Sequence, residues 1–320
     1  MHLTRSVWVR TIVTAAVLVL LASRIDLGAT AAALARPDPA LTLLVVLLMM
    51  ADRTLMIWRW IILLRARGAA ISARSATWIY LESAFVGGYT AIAGDAARAY
   101  ALARHLSQGS VAVASVAVDR LLGMLSIFAV ALLGIGIAGS QIFQNAVAVF
   151  GASAVVLAAG AAAILLADRW VRTALPRVWH DSRPGAQILR LADALGAYRG
   201  HHAAVGIVAF LSIAVQLLRI LQAYFLGRAI GIDVPFSYYL LFMPAGLIAL
   251  MLPISLAGFG APQGLIVWLL RPRGVPVADA LALSTLIVVS GIVANLPGAW
   301  LYMLTARQDP SQPNNQETIR

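Results

Sequence analysis

Long apolar stretches separated by short polar segments make up most of this chain, and the pattern predicts an all-α polytopic membrane protein. A helix needs about 20 mostly apolar residues to cross the hydrocarbon of a bilayer. Residues 2–23 also have the basic start and apolar run of a secretory signal peptide, but the first helix of a multi-span protein is normally retained. Six full transmembrane helices are predicted, at 7–23, 40–64, 111–138, 145–167, 203–230 and 278–305.

A pair of shorter apolar stretches is predicted to form a re-entrant helical hairpin. Residues 75–86 and 92–105 are each too short to cross alone, and Gly87, Gly88 and Gly94 lie at or near the break between them. Unpaired backbone at membrane depth persists only where protein or water satisfies it. Such broken helices are typical of secondary transporters, whose substrate site lies near mid-membrane.

A second predicted hairpin follows at 238–270. It is built around PISLAGFGAPQG, residues 253–264, which contains Gly258 and Gly260. Three spans separate this hairpin from the first, so the two are expected to open on opposite sides of the membrane.

The two hairpins predict an inverted internal repeat. Repeat one covers about 40–138 and repeat two about 203–305, and an offset of 166 residues places the intramembrane Arg53 on the intramembrane Arg219. Each repeat consists of a span, a hairpin and a span, an arrangement that places a substrate site at the repeat interface.

The composition of the whole chain is typical of a membrane protein. Because 61% of its residues are hydrophobic and 12% are charged, residues 1–306 are predicted to form one transmembrane domain, followed by a disordered tail at 307–320. The net charge of +11 is scattered between apolar spans, which favours anionic lipid headgroups over nucleic acid as a partner. No Cys is present, which excludes disulfides and thiolate chemistry.

The distribution of arginines predicts the orientation. Arg65, Arg67 and Arg74 follow the span at 40–64, and the positive-inside rule makes that end cytoplasmic. Both termini are then cytoplasmic, and the polar connection at 168–202, with its six arginines, lies on the cytoplasmic leaflet. Abundant Ala and the complete absence of Lys indicate a GC-rich bacterial genome, so the inner membrane is the expected location.

Several charged residues fall inside the predicted spans, where a charge costs on the order of 3 kcal/mol unless it has a partner or a water-filled cavity. In the structural interpretation, Asp52 and Asp119 neutralise arginines and hold helices together. The buried arginines outnumber these two acids, so we expect a net positive cavity that binds an anion, and Arg matches the oxygens of a phosphate headgroup. The residues concerned are Arg53, Arg59, Arg120 and Arg219, with Gln216 and Gln222 on the helical stripe of Arg219.

The first hairpin carries charges of its own. Asp95 is expected to be either an N-cap or, with Arg98, a gate beside a half-helix N-terminus that holds a phosphate. In an alternative interpretation, Arg98 and Arg104 extend to the cytoplasmic headgroups. Glu82, on the preceding half-helix, is a candidate partner for Arg98.

The sequence carries few enzyme signatures. It has no GxxxxGK[ST] phosphate-binding loop and no HExxH spacing among its five histidines. The Ser182-Arg183-Pro184 run faintly resembles a lipid phosphatase motif, but the His partners of that motif are missing. We therefore expect no catalytic residue, cofactor or metal.

Four segments together resemble the flippase-like membrane domain of lysylphosphatidylglycerol synthases. GGYTAIAGDAARAYALAR, residues 87–104, is similar to the GGD-x-x-R-x-x-x-L-x-R segment of that family. Arg59-Trp60, Asp119-Arg120-Leu121-Leu122-Gly123 and the 253–264 motif also fit. The chain departs from the family pattern at Gln263, where relatives commonly have Glu, and in its split Gly-Gly-Asp.

The resemblance implies a translocase that moves a phosphate-bearing lipid between leaflets, such as a phospholipid, an aminoacyl-phospholipid or a polyprenyl-phosphate-linked glycolipid. No aminoacyltransferase domain follows in these 320 residues, so we expect the lipid to be made elsewhere. Two alternatives stay open: a membrane-embedded lipid transferase or phosphatase, and a non-transporting partner subunit of one. The expected partners are the lipid, a lipid-synthesising enzyme and a second copy of the chain.

Overall fold

The computed structural model describes residues 38–87, 91–106, 109–138, 146–176, 182–251 and 261–306. Within these ranges the chain forms helices and no strand. The helices are α1 (Pro39–Ala66), α2 (Ala73–Gly87), α3 (Ala91–Ala103), α4 (Gly109–Ala138), α5 (Ala146–Ala174), α6 (Arg183–Gly196), α7 (His202–Ala229), α8 (Phe236–Met251), α9 (Ala261–Leu270) and α10 (Val277–Ala306), with 3-10 turns at Ala197–Gly200 and Arg271–Arg273.

Four predicted spans are confirmed as helices long and apolar enough to cross a membrane. They are α1, α4, α7 and α10, and their bounds lie within two residues of the predicted ones. Their outward faces carry exposed apolar side chains such as Leu47 and Phe210, which suits contact with lipid. The chain is therefore a multi-pass membrane protein. The predicted span at 7–23 and the predicted tail at 307–320 lie outside the described residues.

Helix α1 begins where a side chain takes over the hydrogen bonding of its first turn. Asp38 Oδ1 accepts hydrogen bonds from the backbone N–H groups of Ala40 and Leu41, at 2.8 and 3.1 Å. Pro39 occupies the first helical position, where a missing N–H costs nothing. Position 38 is thus a strong local signal for a helix start.

The helix of the fourth predicted span, α5, is longer than the sequence predicted. It continues to Ala174 instead of ending at 167, because the added turns are tied to the segment that follows. Arg172 forms an ion pair with Asp193 at 2.7 Å, and Arg199 one with Asp168 at 2.9 Å. The hydrogen bonds from Arg199 lower the pKa of the Asp168 carboxyl below its ordinary value.

The polar connection between α5 and α7 is a docked helix. Helix α6 starts at Ser182, whose Oγ accepts from the N–H of Gly185 at 3.1 Å. At its end, the buried Tyr198 packs among Leu63 and Val208. Its hydroxyl donates to the carbonyl of Leu63 at 3.3 Å. The connection is therefore anchored to α1 and α7.

The remaining helices pack in a reciprocal pattern around the pair α1 and α7. Helix α2 packs against α3 and α10, whereas α8 packs against α9 and α4. Both cross-contacts are made at a glycine: Gly298 of α10 touches the backbone of Leu81 on α2, and Gly134 of α4 touches the backbone of Leu240 on α8. Small residues of this kind allow backbones to approach closely in a membrane.

We predict that Gly298→Ala destabilises the protein by about 1–3 kcal/mol, because the added Cβ would overlap the carbonyl oxygen of Leu81. Gly291→Ala is the matched control, since it lies on the same helix and faces open space. Thermal unfolding in detergent measures both variants. Equal melting temperatures would contradict the close contact between α10 and α2.

Candidate functional site

A cavity of about 220 Å³ lies between α1, α2, α3, α4, α7 and α10. Every residue that the sequence named as a ligand lines it: Arg53, Arg59, Asp95, Arg98, Arg120 and Arg219. The residues were chosen from four separate helices, and the fold brings them to one place.

The buried carboxylate of Asp119 lies at the centre of an ion-pair network. Its Oδ1 is 2.7 Å from Nε of Arg59 on α1, and its Oδ2 is 3.1 Å from Nη1 of Arg98 on α3. Arg59 also donates from Nη1 to Ser212 Oγ on α7, at 2.9 Å. Gly123, one turn beyond Asp119, lies beside the Arg59 guanidinium, and a Cβ there would make an ordinary van der Waals contact with Nη2 at 3.5 Å. One carboxylate thus connects three helices directly and a fourth through Arg59.

The guanidinium group of Arg98 is enclosed by aromatic rings and carboxylates. Its guanidinium lies 5.2 Å from the ring centroid of Trp60 and 5.0 Å from that of Tyr80, distances suited to cation–π attraction. It also contacts Asp95 at 3.1 Å. The side chain is 6% exposed, so the interpretation that Arg98 extends to the headgroups is wrong. The aromatic rings and two carboxylates satisfy the charge inside the protein.

Asp95 has a role other than the expected helix cap. Helix α3 begins at Ala91, four residues earlier, so the N-cap interpretation is wrong. One carboxylate oxygen of Asp95 contacts Arg98 and the other lies 3.5 Å from Nε of Arg120, whose side chain is 37% exposed. Asp95 therefore joins the buried network to a half-exposed arginine.

The two arginines related by the 166-residue offset line the same cavity, Arg53 from α1 and Arg219 from α7. Arg219 Nε lies 3.0 Å from Asp52 Oδ1, and its Nη2 lies 2.8 Å from the sulfur of Met56. Arg53 lines the same cavity, but its buried Nε has no hydrogen-bond partner among the described residues. Arg53 is the arginine of the cavity for which these residues supply no carboxylate within ion-pair distance.

The charges around the cavity do not cancel. The described residues contribute five guanidinium groups to its lining. The carboxylates that contact them are those of Asp52, Asp95 and Asp119, which leaves a surplus of two positive charges. In an apolar surrounding such a surplus favours the binding of an anion.

Two glycines at the cavity bring α2 and α3 into backbone contact. A Cβ at Gly94 would lie 2.6 Å from Cα of Gly87 and 2.7 Å from the carbonyl oxygen of Ser83. Both glycines line the cavity. No larger residue fits at Gly94, so the hairpin limbs cross at this point.

The supporting residues named from the sequence divide into three groups. Asp119 and Gln216 line the cavity with Gly87 and Gly94, and Asp52 contacts Arg219. Glu82, Gln222 and Gln263 are outside the lining; Gln263 is buried and its amide lies 3.5 Å from Thr285 Oγ1. Gly88, Gly258 and Gly260 lie outside the described residues.

The sequence interpretation missed several lining or supporting residues. Tyr80 looks like an ordinary core aromatic, and the sequence identifies Trp60 only as part of the Arg59-Trp60 motif and not as a neighbour of Arg98. Asn295 was detectable, because it is an isolated amide in the apolar span of α10, and it lines the cavity. Ser212 was detectable as well, since it lies on the helical stripe of Gln216 and Arg219.

Fold and cavity together define a polytopic helical membrane protein whose interior presents arginines to a small cavity. The model of one protein family, described as the lysylphosphatidylglycerol synthase TM region, matches residues 7–298. The chain belongs to this family, as its sequence motifs indicated. A search of curated proteins gave no match.

We predict that Asp119→Asn destabilises the protein by about 3–5 kcal/mol, because it leaves two buried guanidinium groups without their shared counter-charge. Asp193→Asn is the control, since it removes a carboxylate from a pair whose side chains are 55% and 46% exposed. That change should cost less than about 1 kcal/mol. Unfolding of both variants in detergent measures the difference, and a similar loss for the two would show that the Asp119 network is not needed.

Proposed function

We propose that this protein is a lipid translocase that binds the phosphate of a polar lipid in the arginine-lined cavity and carries it between the leaflets. The observation that carries the proposal is the surplus of two positive charges around a cavity inside a helical membrane protein. A lipid phosphate supplies the missing negative charge, and guanidinium groups match its oxygens in charge and geometry. Membership of a family named for a lipid synthase supports a lipid as the ligand.

The arginines differ in their availability to such a ligand. Arg59 and Arg98 are committed to Asp119. Arg53 has no carboxylate within ion-pair distance in the described part of the chain, and Arg120 and Arg219 keep side chains that are 37% and 28% exposed. We therefore assign the phosphate to Arg53, Arg120 and Arg219.

An inverted repeat accounts for the freedom of Arg53. The 166-residue offset that places position 53 on Arg219 places Asp52, the partner of Arg219, on Leu218. Arg219 thus has a counter-ion from the other repeat, whereas the position equivalent to Asp52 in the second repeat is a leucine, which cannot pair with Arg53. Because this ion pair has no counterpart at Arg53, the Arg53 guanidinium can bind the substrate.

The packing of the described helices supports the same repeat. In each half the first limb of the hairpin, α2 or α8, packs against the second span of the other half, α10 or α4, at a glycine. We propose six full spans with two re-entrant hairpins, of which α2–α3 and α8–α9 are the described limbs. Movement of one half against the other around a fixed site is how such repeats exchange access between the two sides.

Within this mechanism, Asp95 acts as the gate between the buried network and the ligand. Its carboxylate contacts both Arg98 and the half-exposed Arg120. When a phosphate takes over Arg120, Asp95 keeps its pair with Arg98. The hairpin can then shift without leaving a buried charge unpaired.

We place the protein in the inner membrane of a bacterium, with both termini in the cytoplasm. The clustering of arginines after α1 supports this orientation. The lipid would come from a separate synthesising enzyme, which is a candidate partner along with a second copy of the chain.

We predict that Arg53→Gln lowers the initial rate of lipid translocation at subsaturating lipid by about tenfold or more, because one charge-assisted contact to phosphate is lost. Arg65→Gln is the matched control: it lies on the same helix, is exposed and is outside the cavity. The measurement follows leaflet accessibility of a labelled anionic lipid in liposomes.

Equal rates for wild type and Arg53→Gln would contradict the assignment of Arg53. Chemical conversion of the lipid by the purified protein would instead show an enzyme. No relocation by any form of the protein would favour the non-transporting subunit.

A further inference from the structure

Two amide oxygens at the cavity face no hydrogen-bond donor among the described residues. Gln216 on α7 is 3% exposed, and its Oε1 is buried without a partner. Asn295 on α10 has a buried Oδ1 in the same condition. Both residues line the cavity together with the arginines. Leaving a buried acceptor without a donor is unfavourable, so these oxygens point to a donor on the ligand.

The orientation of the Gln216 amide follows from its neighbours. Its Nε2 donates to the carbonyl of Gly123 at 3.3 Å and lies 3.4 Å from Ser126 Oγ. Ser126 in turn donates to the same carbonyl at 2.7 Å. Because the Gly123 oxygen only accepts, the amide nitrogen must face it, and the amide oxygen remains for the ligand.

The described carboxylates at the cavity leave no counter-ion for a cationic donor on the ligand. Each described carboxylate at the cavity already contacts arginine: Asp119 contacts Arg59 and Arg98, and Asp95 contacts Arg98 and Arg120. The sequence segments 88–90 and 252–260, which follow α2 and α8, contain no Asp or Glu. An ammonium group would therefore add positive charge to a surplus of positive charge, and a hydroxyl would not.

We propose that the headgroup is a phosphate ester of a polyol: its anionic phosphate contacts the arginines, while the hydroxyl groups of its uncharged polyol donate to Gln216 and Asn295. This inference rests on the proposed function and names the class of its substrate. The site distinguishes such a lipid from an alkyl phosphate ester, which lacks the donors, and from an aminated one, which carries the wrong charge. A site built to pair with a hydroxyl rejects analogues that lack it.

The test compares lipids that differ only in the headgroup. Phosphatidylglycerol, phosphatidylethanol and phosphatidylethanolamine of identical acyl chains are offered to the full chain in detergent, and bound lipid is counted by native mass spectrometry. Phosphatidylethanol is the decisive probe, because its phosphodiester has the charge of phosphatidylglycerol without the hydroxyl groups. We expect wild-type protein to prefer phosphatidylglycerol over each of the others by about tenfold.

Variants connect this preference to the two amides. In Gln216→Met and in Asn295→Leu, the preference for phosphatidylglycerol over phosphatidylethanol should fall to about twofold or less. Gln187→Met, an exposed glutamine on α6, is the control and should keep the full preference. The ratio within each variant is insensitive to a general loss of folded protein.

The outcomes separate this inference from the proposed function. If phosphatidylethanol binds wild type as well as phosphatidylglycerol does, and Arg53→Gln weakens both, the headgroup inference is overturned and the phosphate site stands. Stronger binding of phosphatidylethanolamine would also overturn it. If Arg53→Gln leaves all binding unchanged, the proposed function fails. Tight binding of sn-glycerol 3-phosphate without lipid would support the headgroup chemistry and assign it to a soluble ester.

Discussion

The carboxylate of Asp119 lies between two guanidinium groups from different helices, Arg59 on α1 and Arg98 on α3. Hydrophobic burial does not drive helices together in lipid, so polar contacts and close packing must do so. A carboxylate in this setting is costly alone and strongly attracted to its partners. Because Arg98 is also enclosed by Trp60 and Tyr80, the position of the first hairpin depends on this one buried acid.

The same network determines which charges remain for a ligand. Asp119 and Asp95 together occupy Arg59 and Arg98, and Asp52 occupies part of Arg219. Arg53 has no carboxylate partner among the residues that the structure describes, and in the proposed repeat the position that would supply one is Leu218. Some of these arginines therefore hold helices together through ion pairs, and others remain to bind a ligand, although all of them look equivalent in the sequence.

Much of this architecture follows from the sequence because apolar length is a strong signal in a membrane protein. The spans α1, α4, α7 and α10 were predictable to within two residues, and so was the gathering of Arg53 and Arg219 at one site. The pairing of charges was not predictable, since Asp52 reaches Arg219 on a distant helix instead of Arg59 on its own face. The extension of α5 escaped prediction for a similar reason: it depends on tertiary ion pairs that no local pattern encodes.

The docked connection between α5 and α7 has a mechanical consequence. Tyr198 packs with Leu63 of α1, Val118 of α4 and Val208 of α7, and its hydroxyl is bonded to the backbone of α1. This cluster holds the three helices together at one end of the bundle. At the opposite end of the pair, the backbone N–H of Asp38 donates to the carbonyl of Ala229 at 3.2 Å, so α1 and α7 are joined at both ends and are expected to move as one unit against the hairpins.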